Sequence, residues 1–230
     1  MKTSPSIPIL SALVLGAALA APSARANLLV NGSFESGGFV NQGADTMSLN
    51  AGSTAITGWT VVTDTTAWIG PSNPFGLLAS DGSFFLDLTN YEPGAPFAGV
   101  AQSIATIPGA VYALSFDLGS STYWGRPDSL TASAAGTSIN FAAPAAGTNN
   151  DWQHETMSFT AVGSTTTVTL QGATGIQYIG LDNASVELVS LPVDAVPEPE
   201  TWALLIGGLG GIGMVARRRT DRSRAERGAA

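Results

Sequence analysis

The 230-residue chain carries nine basic and seventeen acidic residues, a net charge of -8, and no cysteine. The missing thiols exclude cysteine catalysis, thiolate metal sites and disulfide exchange. Between residues 27 and 196 thirteen acids face the single base Arg126, which excludes nucleic acid as a partner, since that binding needs cationic side chains to displace counterions from phosphates.

Lys2, an apolar run over 7–21 and "ARA" at 24–26 follow the order of a secretory signal peptide. We expect residues 1–26 to pass the general secretion machinery and to be cut by signal peptidase after Ala26. A first membrane helix fits less well, because the run is short and Pro22 breaks it. From there to about residue 191 the chain is rich in Thr, Ser, Gly and Val, with Gly and Pro at short intervals, the composition of an all-β domain.

Strands are predicted at 28–35, 55–62, 66–69, 84–88, 99–105, 110–119, 129–134, 138–141, 152–161, 165–172 and 177–189. In "AVYALSFDLG" Tyr112, Leu114, Phe116 and Leu118 share one face; in "TTTVTLQG" Thr166, Val168 and Leu170 oppose Thr165, Thr167 and Thr169. About ten short strands joined by turns predict a two-layer sandwich or jelly roll. Trp59, Trp152, Phe34, Phe85, Phe116 and Phe159 read as core. Asp87, between Leu86 and Leu88, reads as facing away from the core, either lining a concave binding face or, the favoured reading, standing in solvent. Loop aromatics are the better sugar-stacking candidates: Tyr123 and Trp124 in "SSTYWGRPDS", with Arg126 and Asp128 beside them, then Trp68 and Tyr91.

No catalytic constellation stands out. The single His154 lies mid-strand between Gln153 and Glu155 without a second histidine, and neither a Gly-x-Ser-x-Gly elbow nor a phosphate or dinucleotide loop occurs. We expect a protein that is not an enzyme.

Residues 192–200 form a linker containing Pro197, Glu198 and Pro199; residues 201–216 are sixteen residues without a charge, and Arg217, Arg218 and Arg219 follow at once. As a helix the uncharged stretch would reach about 24 Å, a short span against a hydrocarbon core of about 30 Å. The arginines would remain cytoplasmic, leaving the β domain outside. The division is therefore 1–26 signal, 27–191 β domain, 192–200 linker, 201–216 membrane-like helix and 217–230 basic tail.

Six fragments in order, "NLLVNGSFESG", "ITGWTVV", "SFFLDL", "GVAQSIATIPGAVYALSFDL", "WQHETMSFTA" and "LDNASVELV", resemble the choice-of-anchor C type domains and, more distantly, the jelly-roll carbohydrate-binding modules of the galactose-binding type. That resemblance implies a structural calcium held by the acid of "NGSFE" and the first acid of "DN", here Glu35 and Asp182, with backbone carbonyls completing the shell. The alternative is that Glu35 caps a turn and Asp182 bonds backbone amides at the "LDN" bend. The order of Pro197, Glu198 and Pro199, apolar stretch and arginine cluster resembles the PEP-CTERM sorting signal of Gram-negative bacteria. This implies an exosortase as partner, transient anchoring in the inner membrane, delivery to the cell surface or extracellular matrix, and an association with exopolysaccharide and biofilm. The expected function is a non-catalytic carbohydrate-binding or structural module, with extracellular polysaccharide as the prospective ligand; the alternatives are a purely structural matrix protein without a specific ligand and, third, a glycan-processing enzyme.

Overall fold

The computed structural model of the protein describes residues 26–90, 95–120, 128–143, 151–175 and 178–192. The signal segment and the C-terminal sorting segment, with the helices expected in them, lie outside the described residues. Eleven strands are described: β1 (Thr46–Leu49), β2 (Thr60–Val62), β3 (Thr66–Ile69), β4 (Phe85–Asp87), β5 (Gly99–Ala105), β6 (Val111–Ser120), β7 (Ser129–Ala134), β8 (Thr137–Ala142), β9 (Asp151–Thr160), β10 (Thr165–Thr174) and β11 (Gly180–Ser190).

They form a six-stranded sheet in the order β1-β3-β4-β11-β6-β9 and a five-stranded sheet in the order β2-β5-β10-β7-β8. The last eight strands pair antiparallel as nested partners: β7 with β8, β6 with β9, β5 with β10 and β4 with β11. Successive pairs fall in alternate sheets, which is the winding of a jelly roll. β1 and β3 extend one sheet beside β4, and β2 extends the other beside β5.

Period-two patterning carries the two sheets onto one core. Tyr112, Leu114, Phe116 and Leu118 of β6 face Thr166, Val168 and Leu170 of β10 across the sandwich, and all seven are buried, whereas Thr165 and Thr167 stay exposed. Trp59, Phe34, Phe85, Phe116 and Phe159 are buried as expected; Trp152 is half-buried.

Several expectations are corrected. Residues 28–35 form no strand: Asn31 and Phe34 take positive φ (56° and 58°), and the segment is pinned by single bonds, Leu28 N–H to Val186 O at 2.8 Å and Ala184 N–H to Gly32 O at 2.9 Å. Trp68 is not a loop residue. It lies in β3 at 1% exposure, its indole N–H donating to Phe34 O at 3.0 Å. Asp87 does face away from the main core but is fully buried, because residues 70–80 fold back over that side of the six-stranded sheet. There Ala67, Ile69, Leu77, Phe85 and Tyr178 make a second apolar cluster. Its carboxylate accepts from Ile179 N–H at 2.9 Å and Thr89 N–H at 3.0 Å.

Gln102 is the polar residue on the inner face of β5. Its side-chain amide imitates a strand, accepting from Val30 N–H at 2.6 Å and donating to Val30 O at 2.9 Å. Gln102→Leu strands both backbone groups, at a cost of about 1–3 kcal/mol. Urea denaturation should register that loss, whereas Thr165→Val on the outer side of β10 should stay within about 0.5 kcal/mol.

Candidate functional site

Three carboxylates from three parts of the chain grip residues 80–84. Asp182 Oδ2 accepts from Ser80 N–H at 2.8 Å, Asp81 N–H at 3.0 Å and Ser80 Oγ at 3.2 Å, and its Oδ1 accepts from Asn183 N–H at 2.7 Å. Glu35 Oε1 accepts from Ser83 N–H at 2.8 Å and Phe84 N–H at 2.7 Å. Asp117 Oδ2 accepts from Ser80 Oγ at 2.7 Å and Asn183 Nδ2 at 3.1 Å. Gly82 permits the approach: its φ is +74°, and a Cβ there would run into the Glu35 carboxyl group.

Glu35 and Asp182, the two acids expected to share a calcium ion, thus reach one loop, and the partners they meet are amide and hydroxyl hydrogens. Among the described residues no three His, Asp or Glu gather at metal-holding distance. Backbone carbonyls would have to complete any shell.

The only histidine joins the same network. His154 Nδ1 lies 2.7 Å from Asp117 Oδ1 on the neighbouring strand, with the imidazole largely exposed. Ser80, Asp117 and His154 are therefore linked in the order Ser-Asp-His. A hydrolytic triad needs the histidine between the other two, so that its free nitrogen takes the serine proton; here Ser80 Oγ donates to the aspartate itself. The arrangement anchors a loop. It was not foreseen because it depends on the register of β6 against β9, which places Asp117 opposite His154.

The opposite side of the sandwich is built differently. None of the residues in β2, β5, β7, β8 and β10 is charged, whereas the six-stranded sheet carries Asp87, Asp117, Asp151, His154, Glu155, Asp182 and Glu187. The outward side of the five-stranded sheet is a lattice of hydroxyls and amides. Thr167 stands opposite Ser103, Thr169 opposite Ser133, Gln171 opposite Thr131, and Ser133 and Thr131 opposite Ser138 and Asn140. Neighbours bond laterally, Ser103 to Thr167 at 2.9 Å, Ser133 to Ser138 at 2.9 Å and Asn140 to Thr131 at 3.2 Å. Each hydroxyl has three hydrogen-bonding positions, so capacity for a ligand is left over.

Of the expected sugar contacts, Tyr123, Trp124 and Arg126 lie outside the described residues, as does Tyr91. Asp128 is described and buried at 4% exposure, its carbonyl accepting from Ala143 N–H at 2.8 Å. Every described Trp, Tyr and Phe is buried or half-buried. The sorting residues Pro197, Glu198, Pro199, Arg217, Arg218 and Arg219 lie outside the described residues.

Burial pushes the Asp182 carboxyl up to about 7 from its ordinary 3.8, against the opposing bonds from Asp81, Asn183 and Ser80. A carboxyl raised in the folded state holds its proton more tightly there than in the unfolded chain. Its contribution to stability is complete below about pH 4 and is lost as pH rises through about 7. In chelator-treated protein, unfolding free energy measured against pH should carry this decline, and Asp182→Asn should flatten the slope whatever it does to the offset. An unaltered slope would show that Asp182 is not the group responsible.

Comparison with known proteins follows from this geometry. Residues 195–219 match the PEP-CTERM protein-sorting motif, which marks a chain handled by an exosortase, anchored in the membrane and passed to the surface of a Gram-negative cell. No curated protein sequence matches the chain. Among solved structures, TmCBM61 in complex with beta-1,4-galactotriose is similar at a TM-score of 0.41 and 17% identity over 71% of this chain and 99% of that one. The CBM22-1 xylan-binding domain from Paenibacillus barcinonensis Xyn10C is similar at 0.39 and 18% identity, over 64% and 94%. The tailspike protein 4 enzymatically active domain of bacteriophage CBA120 is similar at 0.41 and 18%, but the matched part spans about a fifth of its length. The jelly roll itself rests on the nested strand pairs above. Residues 27–177, about two thirds of the sequence, match the family model described as "Protein of unknown function (DUF642)", and the chain belongs to that family.

Proposed function

We propose that the protein is a non-catalytic module of the cell surface or extracellular matrix that binds neutral polysaccharide across the outer side of its five-stranded sheet. The observation that carries this reading is the absence of charge from that sheet in a domain with thirteen acids against one base. An acidic body repels anionic glycans, whereas a lattice of Thr, Ser, Asn and Gln offers donors and acceptors that match sugar hydroxyls without the desolvation cost of an ion. Tyr123, Trp124 and Arg126, residue types that stack on sugar rings and bond hydroxyls, are candidates for further contacts. Delivery by the sorting signal puts the module where exopolysaccharide and biofilm matrix accumulate. The Ser-Asp-His order at Ser80 supports a role without catalysis.

Affinity electrophoresis against neutral xylan, galactan and soluble cellulose should show retardation. Thr131→Asp with Thr167→Asp should abolish it while leaving the melting temperature unchanged. Loss with Trp124→Ala and not with the sheet variant would move the site to the loop. That every described aromatic is buried or half-buried favours a second reading, a structural matrix protein without a specific ligand, and absence of retardation on all three glycans would select it.

Calcium at Glu35 and Asp182 belongs to the same proposal. Both are hard oxygen donors, and a cation beside Asp182 would offset the burial that opposes its ionisation. Calcium added to chelator-stripped protein should raise the melting temperature and suppress the pH dependence attributed to Asp182. An unchanged melt would leave the amide hydrogen bonds as the whole of what holds residues 80–84.

A further inference from the structure

Where β11 leaves the sandwich, aliphatic side chains stand in solvent. Val189 occupies the bulge between Leu188 and Ser190 and is 40% exposed, and Leu191 just past the strand is 52% exposed. Two turns bring similar residues to the same end: Ile107, between β5 and β6, is 45% exposed, and Val162, between β9 and β10, is 82% exposed. These four are half of the large aliphatic residues exposed among the described residues.

The backbone beneath them is fixed. Gly109 N–H donates to Ala161 O at 2.8 Å, Ala161 N–H to Ala110 O at 3.0 Å and Thr106 N–H to Ser164 O at 2.9 Å. Ser190 and Thr160 both flank Val111, and Pro192 lies 3.4 Å from where a Cβ on Gly109 would stand. No charged residue occurs in 106–112, 160–165 or 188–192. A bonded, uncharged end with four aliphatics held outward differs from the scattered exposed side chains of an ordinary surface.

The chain that follows says what can reach this end. Eight residues, 193–200, separate Pro192 from the uncharged stretch that begins at Thr201. Fully extended they span at most about 30 Å, so the membrane-anchored chain holds this end close to the bilayer. We propose that this end of the sandwich rests on the lipid surface of the membrane that holds the sorting segment, and leaves it when the chain is cut between the two. Asp194, Glu198 and Glu200 in the connection, and the acidic domain above it, supply no attraction to lipid phosphates, so the contact is apolar and weak. It holds because a tether this short keeps the local concentration of surface near the millimolar range, and severing the tether removes that advantage. This inference stands apart from the glycan reading, which concerns another face.

The test uses the absence of cysteine. Val162→Cys gives a single labelling site at the proposed contact, and Ser138→Cys gives a reference on exposed β8. The full chain, one copy per phosphatidylcholine nanodisc, carries an environment-sensitive fluorophore at either position. At residue 162 we expect a blue-shifted emission, several-fold slower iodide quenching than at residue 138, and quenching by nitroxide-labelled lipid. Adding Ile107→Asp and Leu191→Asp should abolish these differences with the melting temperature unchanged, and so should cutting a protease site placed in 193–200. Equal iodide access at the two positions overturns the proposal. Protection that survives the cut, or that appears in detergent as protein concentration rises, identifies a second copy as the occupant and overturns it equally.

Discussion

The contact on which the architecture depends joins the Asp182 carboxylate to the backbone amides of Ser80 and Asp81, across about a hundred residues of sequence. An exported domain without cysteine has no covalent staple to hold a long excursion against its sheets. Carboxylates take that role. Asp87 holds Ile179, Glu35 holds Ser83 and Phe84, Asp117 holds Ser80, and each is an ionisable acceptor, for which hydrogen bonds are shorter and stronger than between neutral groups. If the grip on residues 80–84 were absent, the segment before them would not lie over β3 and β4, and Phe85, Ile69 and Tyr178 would face water.

The two outer faces of the sandwich consequently have opposite characters. On the six-stranded side, Asp182, Asp117 and the single histidine are joined in holding a cover. Among the described residues, the strands of the five-stranded sheet carry no charge, and their outward hydroxyls bond sideways to one another. A surface of that kind is chemically quiet toward ions and receptive to uncharged polar partners.

Much of this was legible from local pattern. β3, β5 and β7 coincide with their predicted ranges, and the buried faces of β6 and β10 follow from alternation alone, because a period of two leaves little choice once one side must be apolar. What escaped depends on partners distant in sequence. β1, "TMSL", has too little apolar content to announce itself and exists through pairing with β3. Residues 28–35 look like a strand in composition, yet Asn31 and Phe34 turn the backbone to give Trp59 and Trp68 carbonyl acceptors. At Asp87 alternation assigns the side correctly, but no local signal says that another segment covers that side. The Ser80, Asp117 and His154 network required the pairing register and the loop path together.

The position of β11 has a consequence for the order of events in the chain's life. It lies in the interior of the six-stranded sheet, between β4 and β6, and the start of the domain is bonded along it through Leu28 and the Asn27 side chain. That sheet cannot close until its last strand is available. The last strand ends only about ten residues ahead of the uncharged segment at Thr201. Closure of the sheet, dominated by contacts distant in sequence and correspondingly slow, therefore waits on nearly the whole domain.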